Sequence, residues 1–468
     1  MKRLFLLFIF LQLFFSCEEE SFPLYLEYCV PVNMQDSTNL QYPPTVGVVL
    51  NYYDYSNAPL VGSEAILNFL LATDFPITVV NDSTLEPNQF FIEEIPLAIV
   101  DNLSVGSGER IAARISLDRF PVIKMADVNS ILPDSISSVD GVIGGDIFRK
   151  FAVKFNYSQD KQCTFYWDED DKRWPNILFL KEQPATNQDL AEDGYAVIDF
   201  SLAGGGNLLL DNQKTEFDST RVTIQVCVES DPFPLDPNDL AYAPPSKFDR
   251  PGSYPISGVN MYGMVSTGIN RNLITKSGLT RITEVLNSNN EMYSITTGNI
   301  QLAGQTLESE ILDGINRIAL IGGAGNNRSA CEELAVRRGQ EWHRLNPDSE
   351  NTYSNDADEK VPAVTEIDFT RNSLLPQTMK IESIPVESDY WQGLWAETYP
   401  SIPQIDFILS HEILKYFEFI IDYPRSRLIM RCTNYNCDDA AQPCCDNNSA
   451  VCRCPESSKC CQYSKIKE

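Results

Sequence analysis

Short apolar runs rich in β-branched residues recur along the chain, separated by turn-forming residues. Val46 to Tyr53, Ile95 to Val100, Arg221 to Val228 and Phe417 to Ile421 are the clearest. Runs of this kind, bounded by Gly, Pro, Asn and Asp, predict strands. Helical spacing is scarcer. The best case is Ala330 to Leu345, where Leu, Ala and Trp repeat on one face. The pattern predicts a mainly β chain.

The pattern also repeats. Residues 139–157 read VDGVIGGDIFRKFAVKFNY and residues 405–423 read IDFILSHEILKYFEFIIDY. They align without a gap, pairing Asp140 with Asp406, Ile147 with Ile413, Phe151 with Phe417 and Tyr157 with Tyr423. Each copy reads as an apolar strand, a short helix and an alternating strand closed by a turn. A second pair of blocks lies upstream, FLLATDFPITVV at 69–80 and MVSTGINRNLI at 264–274, matching Ala72-Thr73-Asp74 with Ser266-Thr267-Gly268. Each half thus holds the same two blocks in the same order. The second half has the longer spacer, which reads as a surface insertion at about 325–362.

Cysteine usage adds an expectation about compartment. The chain has 13 cysteines, and eight of them lie between Cys432 and Cys461. Met1 to Ser16 places two cations before a short apolar run, as in a signal peptide, and the run ends at Cys17. That junction resembles a bacterial lipobox, so lipidation at Cys17 and a bacterial cell-envelope location are expected, with plain secretion as the alternative. Twelve cysteines remain, an even number suited to disulfides in an exported protein. Cys29 and Cys163 flank the blocks of the first half as Cys227 and Cys432 flank those of the second. Bonds Cys29–Cys163 and Cys227–Cys432 are therefore expected, leaving Cys331 for a tail cysteine. The tail spacing lacks CxxC pairs and favours a disulfide-stapled module over a metal site.

Charge narrows the function classes. There are 36 Lys and Arg against 65 Asp and Glu, a net charge of −29, which argues against nucleic acid as a partner. Only two histidines occur, His343 and His411, so multi-histidine metal sites and Ser-His pairs are disfavoured. No phosphate-binding or dinucleotide fingerprint is present, and no cofactor is implied. Ile321 to Gly325 is glycine-rich but lacks the Lys and Ser/Thr of a phosphate loop and reads as a turn. The acidic run Asp168 to Asp171 reads as a solvated loop.

The two blocks together resemble the retropepsin-like and pepsin-like aspartic proteases. There a hydrophobic strand runs into Asp-Thr-Gly, and a later apolar-apolar-Gly segment leads into a short helix. Val142-Ile143-Gly144 with Asp146-Ile147-Phe148, and Ile408-Leu409-Ser410 with Ile413-Leu414, look like the second motif. The first motif is degraded. Ala72 and Ser266 stand at the family's catalytic aspartate positions, Asp74 replaces the first Gly, and Ser410 replaces a Gly of the second motif. Two carboxylates about 3 Å apart sharing one proton are what such a site needs to activate water, and neither Ala72 nor Ser266 supplies one. Thr73 and Thr267 match the threonines that cross-brace the two loops, and Gly268 is kept.

The resemblance implies two β-barrel lobes in one monomeric chain, with a cleft where the two blocks face each other. The expected layout is a signal peptide at 1–16, lobe one at 17–170, a linker at 171–214, lobe two at 215–432 and a Cys-rich tail at 433–468. It implies a protein without peptidase activity that holds a peptide or polypeptide segment in the cleft by strand pairing. Two alternatives stay open: an aspartic endopeptidase using a displaced acid such as Asp74, and a structural cell-envelope lipoprotein. Asp140 and Asp406, repeated in both copies, are expected to brace the strand-to-helix segment.

Overall fold

The computed structural model describes residues 27–31, 43–51, 66–85, 97–105, 115–132, 138–156, 176–180, 196–202, 206–210, 213–217, 220–229, 258–288, 292–302, 305–321, 329–335, 364–369, 378–385 and 405–432. The signal segment, Cys17, Cys163, Asp168 to Asp171, His343 and the tail lie outside these residues.

The first half carries β1 (Glu27–Pro31), β2 (Thr45–Asn51), β3 (Leu67–Leu71), β4 (Val79–Asn81), β5 (Leu97–Val105), β6 (Ile115–Met125), β7 (Gly141–Ile143), the one-turn helix α1 (Gly145–Phe148) and β8 (Ala152–Asn156). Strands β2, β3, β7, β4, β6 and β5 close into a barrel in that order. Inside it β7 runs parallel to β3 and antiparallel to β4. The alternation of apolar positions explains the closure: Val46, Val48, Phe69, Leu71, Leu103, Val105, Phe120 and Val122 all turn into one core.

Next come β9 (Asn176–Leu180), β10 (Ala196–Asp199), β11 (Ser201–Leu202), β12 (Gly206–Leu210) and β13 (Gln213–Phe217). The segment 171–214, expected as a linker, thus supplies strands. Two of them, β9 and β10, belong to the sheet that joins the halves.

The second half has β14 (Val222–Glu229), β15 (Gly258–Val265), β16 (Leu273–Thr275), α2 (Lys276–Ser288), β17 (Ser294–Leu302), β18 (Gln305–Ile315), β19 (Arg317–Ile321), β20 (Val364–Asp368), β21 (Met379–Ile384), β22 (Phe407–Leu409), α3 (His411–Leu414), β23 (Phe417–Asp422) and β24 (Arg427–Cys432). The order β14-β15-β22-β16-β21-β18 repeats that of the first barrel strand for strand. Again β22 is parallel to β15 and antiparallel to β16. Where β5 pairs with both β6 and β2, the second half divides the task. There β18 pairs with β21 and β19 pairs with β14. The register shifts between Asp313 and Ile315 at Gly314, whose φ is +138°. A side chain there would be strained and would also meet Tyr293, so glycine is required at this bend.

Helix α2 was not legible as a helix beforehand, because its apolar residues are few. Leu279, Ile282 and Leu286 form a single buried stripe. Of the expected helix at Ala330 to Leu345, residues 330–335 are helical and the rest lies outside the described residues.

A six-stranded sheet, β1-β9-β8-β23-β24-β10, joins the halves. Its centre is the antiparallel pair β8 and β23, in which Phe155 stands opposite Phe419 and their rings stack with centroids 4.7 Å apart. Lys154 of β8 forms an ion pair with the buried Glu418 of β23. One apolar core runs from both barrels through this sheet.

The expected Cys227–Cys432 disulfide is corrected: Cys227 bonds Cys331, with Cα atoms 5.0 Å apart. Cys227 lies in the barrel strand β14, where it pairs with Ala319 of β19, and the helical segment 330–335 packs on that strand pair. Cys432 ends β24 in the joining sheet, opposite Phe417. Cys331 is therefore not left for a tail cysteine. The repeat also misplaced Cys29. It lies on β1 of the joining sheet, whereas Cys227 lies on the counterpart of β2. The expected Cys29–Cys163 bond falls outside the described residues at Cys163.

Candidate functional site

The two chain segments after β3 and β15 meet between the halves. Each is hung in the same way on its own barrel. The Ala72 N–H donates to the Ile143 carbonyl at 3.1 Å, and the Ser266 N–H donates to the Leu409 carbonyl at 2.9 Å. One turn further on, the Gly145 N–H donates to the Phe75 carbonyl at 2.8 Å and the His411 N–H to the Ile269 carbonyl at 2.9 Å. The second motif of each half thus holds the first motif of the same half through backbone groups, which tolerates side-chain divergence.

Across the junction, the two threonines make four hydrogen bonds, two of them with each other. The Thr73 hydroxyl donates to the Val265 carbonyl at 2.9 Å, and the Thr267 hydroxyl donates to the Leu71 carbonyl at 2.8 Å. The Thr73 N–H donates to Thr267 Oγ1, and the Thr267 N–H donates to Thr73 Oγ1, both at 3.2 Å. Both side chains have 0% exposure. Each hydroxyl donates once and accepts once, so the brace is complete and twofold.

Beside the brace stand Ala72, Ser266 and Asp74. Ala72 and Ser266 have 0% exposure and Asp74 has 4%. The Ser266 hydroxyl donates to Asp74 Oδ1 at 2.7 Å, across the junction. The Asp74 carbonyl accepts Arg221 Nε at 2.8 Å. Burial pushes the Asp74 carboxyl above its ordinary range, opposed by the Ser266 hydroxyl, backbone N–H groups and the Arg221 charge. Gly268 is packed against both partners. A Cβ there would come within 2.5 Å of the Ala72 Cβ and 3.0 Å of Asp74 Oδ1.

Two residues that sequence reasoning passed over complete the site. Thr220 and Arg221 precede β14 and reach from the second half into the first. The Thr220 hydroxyl donates to the Pro76 carbonyl at 3.2 Å. Gly145 leaves room for Thr220, since a Cβ at Gly145 would lie 2.2 Å from its Oγ1. Tyr423 closes the site from the joining sheet, its ring 6.4 Å from Phe148 and 6.0 Å from Phe200. Its buried hydroxyl has no hydrogen-bond partner among the described residues. Burial and the Asp74 charge push its pKa well above the usual phenol range. The only advance signal was the pairing of Tyr157 with Tyr423 in the repeat.

Other singled-out residues lie elsewhere. The Asp140 carboxylate accepts the Asn68 N–H at 2.8 Å, and Asp406 forms an ion pair with Arg281. Both hold their strand-to-helix segments, and neither reaches the junction loops through a hydrogen bond described for it. Asp146 accepts Thr78 N–H at 3.0 Å, Thr78 Oγ1 at 2.9 Å and Ile147 N–H at 3.0 Å. Burial raises its pKa to about 6. His411 is fully buried at the start of α3, where Ser410 caps the helix by accepting the Glu412 N–H. Among the described residues no group of His, Cys, Asp and Glu could hold a metal ion.

What this arrangement can do chemically follows from its charges. A water held between two carboxylates needs both of them, and among the described residues only the Asp74 carboxylate meets the two junction loops, with one oxygen committed to Ser266. The geometry braces two halves and, among the described residues, leaves Asp74 as the one buried acid between the junction loops.

No protein-family model matches the chain, and no curated protein matches it significantly. Solved structures similar to it include an aspartic proteinase from Irpex lacteus, at 11% identity and a TM-score of 0.36 over 89% of this chain and 99% of that one. Basic 7S globulin from soybean is similar at 11% identity and a TM-score of 0.39 over 86% and 94%. Conglutin gamma, a basic 7S globulin from lupine seeds, is similar at 11% identity and 0.39 over 87% and 95%. Likeness this low says nothing of activity. The repeated barrel order and the joining sheet define a mainly β, two-lobed, pepsin-like fold.

Proposed function

We propose that this chain is a two-lobed aspartic-protease-like protein that has lost both catalytic carboxylates and holds an extended polypeptide segment between its lobes without cleaving it. The observation that carries the reading is the Ser266–Asp74 bond. The remaining acid at the axis is spent on a cross-lobe hydrogen bond rather than on a second carboxylate. Strand pairing in the cleft would supply affinity through main-chain groups. Export, a lipid anchor at Cys17, a bacterial cell-envelope location and a disulfide-stapled tail belong to the same reading and rest on residues 1–17 and 433–468 of the sequence, and a monomeric state rests on the two halves lying in one chain.

A second reading is favoured by one feature. Asp74 is buried at the axis with a raised pKa, so a displaced single acid could act as an aspartic endopeptidase. One experiment separates the two. The oxidised chain is incubated with a peptide pool from about pH 3 to pH 8, spanning carboxylate titration, and new termini are read by mass spectrometry. A companion variant carries Ala72→Asp, Asp74→Gly and Ser266→Asp. No cleavage by the natural chain is the expected result. Selective cleavage that Asp74→Asn abolishes would overturn it. A peptide retained without cleavage would distinguish the binding reading from a purely structural envelope role.

A further inference from the structure

The geometry points to a second docking surface, outside the cleft: the outer edge of β17, which accepts an extended basic polypeptide strand. Among the described residues β17 pairs only with β18 and ends the sheet of the second half. Along its first six residues, five of them exposed, the outward backbone edge can take another strand. Natural edges are commonly guarded by Lys, Pro or inward charges, and β17, reading SITTGNIQL, has no charged residue and no proline. Ser294, Ile295, Thr296, Thr297 and Asn299 are all exposed. Three large apolar residues are exposed among the described residues. Two belong to this edge: Ile295, 42% exposed, and Met292, 91% exposed just before the strand.

Charge selects the occupant. On one face of the β17–β18 pair, Asn299 stands opposite Glu308, Thr297 opposite Glu310 and Ile295 opposite Leu312. Glu308 is exposed, and Glu310 makes only a loose, exposed pair with Lys276 at 3.7 Å. A strand added antiparallel to β17 would lie about 4.8 Å from it and about 10 Å from β18. The short side chains of Asn299 and Thr297 leave a path across which Lys or Arg can reach Glu308 and Glu310. The position opposite Ile295 is apolar. From its N-terminus the partner then reads basic-x-basic-x-apolar on that face. A second copy of this chain is disfavoured, since each copy carries a net charge of −29.

The test uses the full oxidised chain in mild detergent and a fluorescein-labelled peptide of about nine residues, the length of β17. Thr alternates in it with Lys, Arg and Val on one face. Fluorescence anisotropy is expected to report binding that weakens with salt. Binding should fall about tenfold with the double variant Glu308→Lys, Glu310→Lys and should be lost when alternate peptide amides are methylated. A peptide with Glu in place of Lys and Arg should bind the double variant better than the natural chain. Amide hydrogen exchange at 294–302 should slow on binding, independently of any variant. Equal binding of both peptides to the natural chain would overturn the proposal. So would binding unchanged by Ile295→Lys or by the double variant, or self-association lost in Ile295→Lys. Cleavage of the peptide pool, which sinks the reading of the cleft, leaves this surface untouched.

Discussion

Replacing Thr73 by Val keeps the shape of a side chain with 0% exposure and removes its hydroxyl. Two bonds vanish: the donation to Val265 O at 2.9 Å and the acceptance of the Thr267 N–H at 3.2 Å. Both abandoned groups are backbone, at a site water does not reach. A buried polar group left without its partner costs about 1–3 kcal/mol, so the substitution should cost about 3 kcal/mol in all. Thr267→Val removes a different pair of bonds, to Leu71 O and from the Thr73 N–H. If the bonds were independent, the double variant would cost the sum. They share one interface, and opening it once exposes all four partners. The double variant should therefore fall short of additivity by 1 kcal/mol or more, roughly the coupling of contacting residues. Thr73→Ser keeps both bonds and should cost about 1 kcal/mol, the value of one buried methyl. The assay is urea unfolding followed by tryptophan fluorescence and far-ultraviolet circular dichroism, with the natural chain and its four variants compared at one pH. A Thr73→Val loss no larger than that of Thr73→Ser, or a strictly additive double variant, would refute the idea that the threonines hold the halves together.

Other expectations follow from the same structure. Asp146 has a folded-state pKa of about 6 against the ordinary 3.8 of an unperturbed carboxyl, so the folded chain holds its proton more tightly than the unfolded one. Its contribution is therefore present at acid pH and is lost as pH rises from 3.8 to about 6, at most about 3 kcal/mol. The urea midpoint should fall over that interval, and Asp146→Asn should flatten the fall; an unchanged slope would count against the assignment. Gly268→Ala should lower the melting temperature markedly, by about 2 kcal/mol of overpacking, because its Cβ would meet Ala72 and Asp74. Adding Ala72→Gly should restore part of that loss. Non-reducing peptide mapping should return a Cys227–Cys331 linked pair. Cys331→Ser should cost about 4–5 kcal/mol by the chain-entropy account for a separation of 104 residues; an unaltered unfolding midpoint would contradict this.

Much of the architecture was legible because it is written locally and twice. The short apolar runs around Phe69 and Met264, and the apolar-helix-strand blocks at 139–157 and 405–423, mark strands by residue type and near-neighbour spacing. Duplication then shows that both halves solve the same packing problem. The absence of carboxylates at Ala72 and Ser266 is likewise a fact of chain chemistry that no folding can reverse. Other features are long-range and left no local signal. Thr220 and Arg221 look like an ordinary strand start until the fold carries them 144 and 147 residues back to Pro76 and Asp74. The bond between Ser266 and Asp74 spans 192 residues. Cysteine pairing followed strand position rather than order along the chain. The repeat aligned Cys227 with Cys29, yet β14 lies in a barrel wall and β1 in the joining sheet. Helix α2 hid because one narrow apolar stripe was enough to seat it on its barrel. The sequence by itself determined strand character, the duplication and the missing acids, since these depend on side-chain type and near-neighbour spacing. Only the tertiary structure decided which groups meet across the two halves, because closing the barrels and joining their sheet sets those distances, and no local preference encodes them.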